Sequence, residues 1–212
     1  SNTAPLPWGE RLFTTWDVGR PVEVDPITLE VLGEVGARSD WGPPSLPMGE
    51  VLPFYFSSAH PVIDAERQLM WTVKLMPTPE FTMKLHVLCW DGSGGAMRSW
   101  PVDGGVVAGS SHTISQTRDW LVLADSGNFK TDPGEIAGGE RSVLIDESAP
   151  VYLLRKDQLL ATPTGAAFTP VASRVAPTTG HFYAVWDDTD GIRAVFEHMD
   201  VMDLGFQLKA GD

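Results

Sequence analysis

Cysteine is nearly absent from this 212-residue sequence, and so are long apolar runs. The single cysteine, Cys89, excludes an intrachain disulfide, so nothing here indicates an oxidising compartment. The sequence contains no signal-like hydrophobic segment and no apolar stretch long enough to span a membrane. We therefore expect a cytoplasmic protein.

Positive charge is also scarce. The 15 lysines and arginines are outnumbered by 28 aspartates and glutamates, which gives a formal net charge of -13. Such a charge argues against binding to nucleic acid or to an anionic membrane by simple electrostatic attraction. A hydrophobic content of 42% is enough for a buried core, in one large domain or two small ones.

Amphipathic helices are missing as well, because no stretch has a long apolar stripe at helical spacing. Short runs rich in β-branched and aromatic residues recur instead, and turn residues separate them. This pattern predicts an all-β protein, built as a sandwich, a barrel or a propeller. The predicted strands are residues 11–16, 51–56, 68–75, 81–90, 120–124, 150–155, 181–186 and 192–198.

Turn chemistry predicts where the strands end. The Asp-Gly and related signals lie at residues 91–92, 103–105, 132–134 and 190–191. The glycine-rich stretch 91–95 is interpreted as a hairpin loop, since it has no Walker lysine. Residues 39–49 and 130–141 are rich in Gly, Pro and acidic residues, and we predict loops there.

Three of the five histidines lie at the ends of predicted strands. His60 ends one strand before Pro61, while His112 and His181 each open one. They are separated by 52 and 69 residues, and a propeller blade takes roughly 40–50 residues. Equivalent positions in successive blades would bring three imidazoles to the central axis, and neutral imidazole suits Fe, Zn and Cu. Spacing alone leaves open the alternative that each histidine is an ordinary exposed or hydrogen-bonded residue.

The local sequences around these histidines are more specific. "SSAHPVID" (57–64), "HTISQTRDWLVLAD" (112–125) and "GHFYAVWDD" (180–188) resemble three histidine motifs of the carotenoid cleavage oxygenase family. "WDVGRPVEVDPITLEVLG" (16–33) resembles a fourth stretch of that family. The four strings occur in the family's order and together span nearly the whole chain, which makes the combination specific.

The resemblance implies a seven-bladed β-propeller with a mononuclear non-haem Fe(II) held by four histidines. It assigns ligand roles to His60, His112 and His181. It also implies that Asp17, where the family usually has Glu, orients one of these ligands by accepting a hydrogen bond from its second ring nitrogen.

The activity implied by the resemblance is that of a dioxygenase. Such an enzyme would use O₂ to cleave a conjugated carbon–carbon double bond in a carotenoid, apocarotenoid or stilbene-type substrate, held in an apolar tunnel. We expect an apolar polyene or stilbenoid and O₂ as partners, and no nucleic acid. A peripheral membrane contact is a further expectation for the full-length parent.

Two departures from the family pattern shape the expectation. Ala184 stands where the family usually has Asn, and neither His86 nor His198 lies in a matching motif that would supply the fourth ligand. At roughly 40–50 residues per blade, the chain accounts for four or five blades. We therefore expect residues 1–212 to be a single incomplete propeller domain, an internal fragment of a longer enzyme. The alternative is a catalytically inactive propeller fragment or interaction module that lacks the fourth ligand.

The stretch before His60 gives a geometric expectation. Strand alternation would place residues 54, 56, 58 and 60 on one side, with Pro61 ending the strand because it has no N–H to donate. We expect Phe54 and Phe56 to pack behind His60, whose ring should lie close to His112 and His181.

Overall fold

The computed structural model describes residues 4–43, 55–80, 82–107, 110–125, 130–131, 143–144, 148–177 and 183–197. Within these ranges the chain forms seventeen strands and two short helices, so the prediction of an all-β protein is confirmed. No helix in the described ranges has both the length and the apolar character needed to cross a membrane.

The first sheet is a four-stranded antiparallel meander in the order β1-β2-β3-β4. Its strands are β1 (Ala4–Trp8), β2 (Arg11–Thr15), β3 (Val22–Val24) and β4 (Val31–Glu34), and the short helix α1 (Arg38–Trp41) follows. Residues 39–41 were predicted as the start of a loop, but they belong to this helix, whose Trp41 is fully buried.

The second sheet has five strands. They are β5 (Phe56–Ser57), β6 (Val62–Asp64), β7 (Leu69–Pro77), β8 (Met83–Trp90) and β9 (Arg98–Val107). The sheet order is β5-β7-β8-β9, and β6 also pairs with β7. The loop 91–97 joins β8 to β9, as the turn signal at 91–92 predicts.

The third sheet and two hairpins complete the described chain. The sheet consists of β10 (Ile114–Gln116), β11 (Trp120–Ala124), β14 (Ser148–Arg155) and β15 (Ala172–Pro177), and helix α2 (Lys156–Ala161) follows β14. The hairpins are β12 (Lys130–Thr131) with β13 (Val143–Leu144), and β16 (Tyr183–Asp188) with β17 (Gly191–Phe196). The predicted turn at 190–191 lies at the tip of the second hairpin.

The second sheet is buried on both faces. On β7, Trp71 and Val73 point into the main core, which the third sheet covers with residues such as Leu121. The intervening Met70 faces the other way and packs in a second cluster with Phe13 of the first sheet. Because alternate residues of a strand point to opposite faces, a sheet between two others needs apolar residues at both sets of positions.

Two predicted breaks are strands in the structure. Residues 103–105 lie within β9, where the register with β8 shifts, so the turn signal marks a bulge and not a strand end. Gly104 supplies a positive φ of 65° there, and the phenol of Tyr152 holds the segment by donating to Val106 O (2.8 Å) and accepting from Val106 N (3.0 Å). Lys130–Thr131 forms β12 within the predicted loop 130–141, and residues 132–134 lie outside the described residues.

A buried ion pair joins the second sheet to the third. The ammonium of Lys156, which is 1% exposed, donates to Asp64 Oδ2 at 2.9 Å. Its other donors reach Gln116 Oε1 at 2.8 Å and the carbonyl oxygen of Thr117 at 2.9 Å. Three donors and three acceptors satisfy the charge, which a buried ammonium requires.

Lys156→Met is expected to destabilise the full-length protein, because it leaves the Asp64 carboxylate buried with fewer partners. Breaking one side of a buried pair costs about 3–5 kcal/mol, whereas Lys84→Met on an exposed lysine should change the unfolding free energy by no more than about 0.5 kcal/mol. Urea unfolding followed by tryptophan fluorescence measures both. Equal midpoints for the two variants would show that the ion pair contributes nothing to stability.

Candidate metal centre

His60 and His112 lie side by side. Their ring centroids are 4.7 Å apart, with an angle of 77° between the ring planes. The backbone segments that carry them are joined by hydrogen bonds, since His60 N donates to His112 O (3.1 Å) and Ile114 N donates to His60 O (3.2 Å). The structure therefore brings together two of the three histidines that the sequence motifs single out. Rings at this separation suit ligands of one metal, whose coordinating nitrogens lie about 3–4 Å apart.

A bulge carries His60 toward its partner. Ser57 pairs with Lys74 and Val62 with Trp71, so the four residues 58–61 face only two residues of β7. The bulged segment pairs with the third sheet instead, through a parallel bridge between His60 and Thr113. The expectation that one strand runs to His60 and ends at Pro61 is wrong, because β5 already ends at Ser57 and β6 begins at Val62 after the bulge. A bulge of this kind re-aims a side chain.

His112 is fully buried, and a carboxylate holds its ring. Its Nδ1 lies 2.7 Å from Asp17 Oδ1 and 2.8 Å from Asp17 Oδ2. A carboxylate accepts hydrogen bonds, so Nδ1 carries the proton and Nε2 is the ring nitrogen suited to a metal. The structure thus places Asp17 against the outer nitrogen of His112, which is the contact that the sequence motif implies for this acid.

The loop between β2 and β3 presents Asp17. Its backbone is fixed from the second sheet, since Ser57 N donates to Asp17 O at 2.8 Å and Val18 forms a bridge with Phe56. The ring of Trp16 lies against the backbone of Gly19, where an added Cβ would come within 2.0 Å of the indole nitrogen. Glycine is therefore required at this close approach.

The sequence motifs do not identify the hydroxyl groups that surround the two histidines. Ser57, Ser58 and Thr15 are all buried, and their hydroxyl oxygens bond backbone atoms of the segments that carry Asp17, His60 and His112. Thr15 Oγ1, for example, lies 2.5 Å from the carbonyl oxygen of Ala59. One signal was available: two serines stand directly before Ala-His-Pro in the 57–64 motif.

Tyr183 ties the hairpin β16–β17 to the strand that follows His112. Its buried phenol oxygen lies 2.6 Å from Thr113 O and 2.9 Å from Val122 O, and it accepts a bond from Ala124 N at 3.1 Å. Burial raises the pKa of the Tyr183 phenol, so it stays protonated and can donate. His181, the third predicted ligand, and Phe54 lie outside the described residues.

His86 occupies a different environment. It lies on β8, directly opposite Lys74 on β7. Burial, together with the charges of Lys74 and Lys84, lowers the pKa of the His86 imidazole to about 4. This histidine is therefore neutral at physiological pH. His198 lies outside the described residues.

The side chains at this site are of the type that binds a transition metal through imidazole nitrogens. Two neighbouring imidazoles, one of them with a carboxylate on its outer nitrogen, are donors that suit Fe(II). In the described ranges no group of three or more His, Cys, Asp or Glu residues could hold a metal ion. These ranges accordingly contribute His60, His112 and the orienting Asp17.

Comparisons with known proteins agree with this interpretation. The model of one protein family, described as Retinal pigment epithelial membrane protein (RPE65), matches residues 1–208. A shorter stretch is 54% identical over 33 residues to carotenoid cleavage dioxygenase 7, chloroplastic, from Oryza sativa subsp. japonica. That match covers 16% of this chain and 5% of the plant protein.

Solved structures are similar in fold. A point mutant of Synechocystis apocarotenoid oxygenase has a TM-score of 0.52 at 17% identity, covering 90% of this chain and 38% of that one. Lignostilbene dioxygenase from Pseudomonas brassicacearum gives 0.54 at 18%, covering 87% and 34%. Cobalt-substituted Synechocystis apocarotenoid oxygenase gives 0.52 at 18%, covering 90% and 38%.

The chain thus spans little more than a third of the length of these structures. Because the identities are below 20%, the likeness concerns the fold. It confirms the expected fold class, an all-β chain that forms part of a seven-bladed β-propeller.

His86→Gln is expected to reduce the acid sensitivity of folding between about pH 6.5 and 4. Folded His86 takes up its proton only near pH 4, whereas the unfolded chain does so near 6.5. The unfolded state binds more protons within this window, so stability falls as the pH falls through it. Urea midpoints of the full-length protein, measured at steps across the window, should fall less steeply in the variant. An equally steep fall of the urea midpoint with pH in the variant would contradict the lowered pKa of folded His86.

Proposed function

The chain belongs to the Retinal pigment epithelial membrane protein (RPE65) family, and from that premise we propose that the full-length protein is a carotenoid- or stilbene-cleaving oxygenase. More specifically, it is a non-haem Fe(II)-dependent dioxygenase that cleaves a conjugated carbon–carbon double bond with O₂. The observation that carries this proposal is the pairing of His60 with His112, whose outer nitrogen is held by Asp17.

The iron ligands in this proposal are His60, His112 and His181, together with a fourth ligand that the sequence motifs do not identify. Iron bound there would supply the activation of O₂ that a double-bond cleavage requires. The two described ligands come from different sheets, and their backbones bond each other directly, which supports a rigid arrangement.

Asp17 has two tasks in this proposal. It holds the proton on His112 Nδ1, which fixes the tautomer, and it makes the opposite nitrogen a better electron-pair donor. His112 is fully buried, so water is kept from the ring and the contact with the carboxylate is stronger than it would be in solvent. Asp17 itself is partly exposed, and its position depends on the loop that carries it.

The substrates in this proposal are an apolar polyene or stilbenoid and O₂. Both oxygen atoms end in the products, because cleaving one C=C bond with one O₂ yields two carbonyl groups. Substrate identity within this class follows from the tunnel of the whole propeller, of which this chain forms part.

The direct test uses the full-length protein loaded with Fe(II). It is incubated with an apocarotenoid, a carotenoid and a hydroxylated stilbene, and carbonyl products and oxygen uptake are measured. The expected result is stoichiometric formation of two carbonyl products from at least one substrate. Protein that retains iron but consumes no oxygen with any of the three would favour the alternative of an inactive propeller.

His112→Ala is expected to abolish iron retention and cleavage in the full-length protein, because the metal loses the buried imidazole that Asp17 orients. Iron content after purification is measured by elemental analysis. His86→Ala is the matched control, since it removes a histidine that lies on β8 and in none of the matching motifs. Wild-type iron content in the His112 variant would overturn the ligand assignment.

Asp17→Asn is expected to have a smaller effect. The amide can still contact Nδ1, but it no longer carries the negative charge that raises ligand basicity. Changes of this kind lower metal affinity or activity by about 10–100-fold. Iron affinity and turnover should both fall in the full-length protein, and a variant equal to wild type in both would show that Asp17 is merely a loop acid.

A further inference from the structure

We infer that Ser57 and Ser58 are positioning residues of the metal centre, which fix Asp17, His60 and His112 relative to one another. This inference rests on the proposed function, since it concerns the geometry of the same site. It assigns a role to two residues that the family motifs do not single out. Their two hydroxyl groups contact the backbone segments that carry these three side chains.

Ser58 joins the two histidines. Its side chain is completely buried, and its hydroxyl donates to the carbonyl oxygen of His112 at 2.7 Å. The hydroxyl oxygen of Ser58 also accepts a bond from the backbone N–H of His60 at 3.1 Å, and this N–H is shared with the carbonyl oxygen of His112. One hydroxyl thus spans the backbones of both proposed ligands across the bulge.

Ser57 holds the loop of Asp17 from the other side. Its hydroxyl oxygen lies 2.8 Å from Trp16 O and 2.6 Å from Gly19 O, the carbonyl groups that bracket Asp17 and Val18. A serine hydroxyl has one proton, so the two carbonyls share it. The backbone N–H of Ser57 donates to Asp17 O at 2.8 Å, and this third contact leaves the loop little freedom.

The adjacency of the two serines explains this division of contacts. Consecutive side chains in extended backbone point to opposite sides, so the hydroxyl of Ser57 reaches the first sheet while that of Ser58 reaches the third. Thr15 fixes the next residue, because its Oγ1 lies 2.5 Å from Ala59 O. Each of residues 57–59, which directly precede His60, is therefore fixed by a hydrogen bond.

A purely structural role makes a different prediction from a positioning role. Loss of a buried hydroxyl lowers the stability of the fold wherever it occurs. Loss of a positioning hydroxyl also alters metal affinity and the ligand field, since both depend on where the imidazole nitrogens lie. Cobalt(II) reports the second effect directly, because its visible absorption depends on ligand geometry.

The first test titrates Co(II) into the metal-free full-length protein. Ser58→Ala is expected to weaken Co(II) binding by about 10–100-fold and to change the visible spectrum. Ser58→Thr keeps the hydroxyl and should restore both, even if its extra methyl group lowers the melting temperature. A Ser58→Ala variant with wild-type affinity and spectrum would overturn the inference.

Tyr152→Phe is the matched control. Its hydroxyl makes the same kind of pair as that of Ser58, with one backbone carbonyl and one backbone N–H, but both belong to Val106 on β9. This variant should lose stability while its Co(II) affinity and spectrum stay as in wild type. A loss of affinity equal to that of Ser58→Ala would reduce the serine effect to general destabilisation.

The second test asks whether Ser57 acts through Asp17. Ser57→Ala should weaken Co(II) binding in the wild-type background and have a smaller effect in the Asp17→Asn background, because the contact that it positions is already weakened there. Ser58→Ala should retain its effect in both backgrounds. If the losses of Co(II) affinity from Ser57→Ala and Asp17→Asn were additive in the double variant, this would contradict the inference that Ser57 acts through Asp17.

The two levels of the proposal fail differently. Wild-type protein that binds no Co(II), or binds it equally well after His112→Ala, would overturn the proposed function. Wild-type binding that depends on His112 but is indifferent to Ser58 would overturn only the positioning role.

Discussion

The candidate site depends on one contact. A carboxylate on a loop of the first sheet lies against a buried imidazole that comes just before the first strand of the third sheet. Asp17 and His112 are 95 residues apart in sequence. Their atoms meet within 2.8 Å where the second sheet packs against both flanking sheets and its first strand bonds the loop of Asp17. The contact therefore constrains three sheets at once, and displacement of any of them would leave a buried imidazole without its acceptor.

The packing of the second sheet supplies that constraint. Each of its faces carries apolar residues that pack in a core cluster with a neighbouring sheet, so neither flanking sheet can slide without exposing core residues to water. The ion pair of Lys156 and Asp64 adds a directional interaction between the second and third sheets, whose apolar packing is non-directional. Apolar burial holds the sheets together, and buried polar bonds determine their register.

Polar groups divide into two kinds in this protein. Those around His60 and His112 are bonded across sheet boundaries by backbone carbonyls and by the hydroxyls of Ser57 and Ser58. Burial, together with the charges of two neighbouring lysines, instead lowers the pKa of His86. An imidazole with a carboxylate on its outer nitrogen has its ring orientation and tautomer fixed for metal binding, whereas one that is merely desolvated beside lysines does not.

The sequence by itself determined the fold class and the candidate residues of the site. Strands such as β11 follow from short apolar runs that are local in the chain, and Asp17, His60 and His112 stand in short motifs. The tertiary structure alone decided the bulge at residues 58–61, the continuation of β9 through 103–105 and the pairing of Lys130–Thr131. It also decided what the hydroxyls of Ser57 and Ser58 contact. In each of these cases the partner is distant in sequence, and a turn signal or a serine carries no information about which distant backbone will lie beside it.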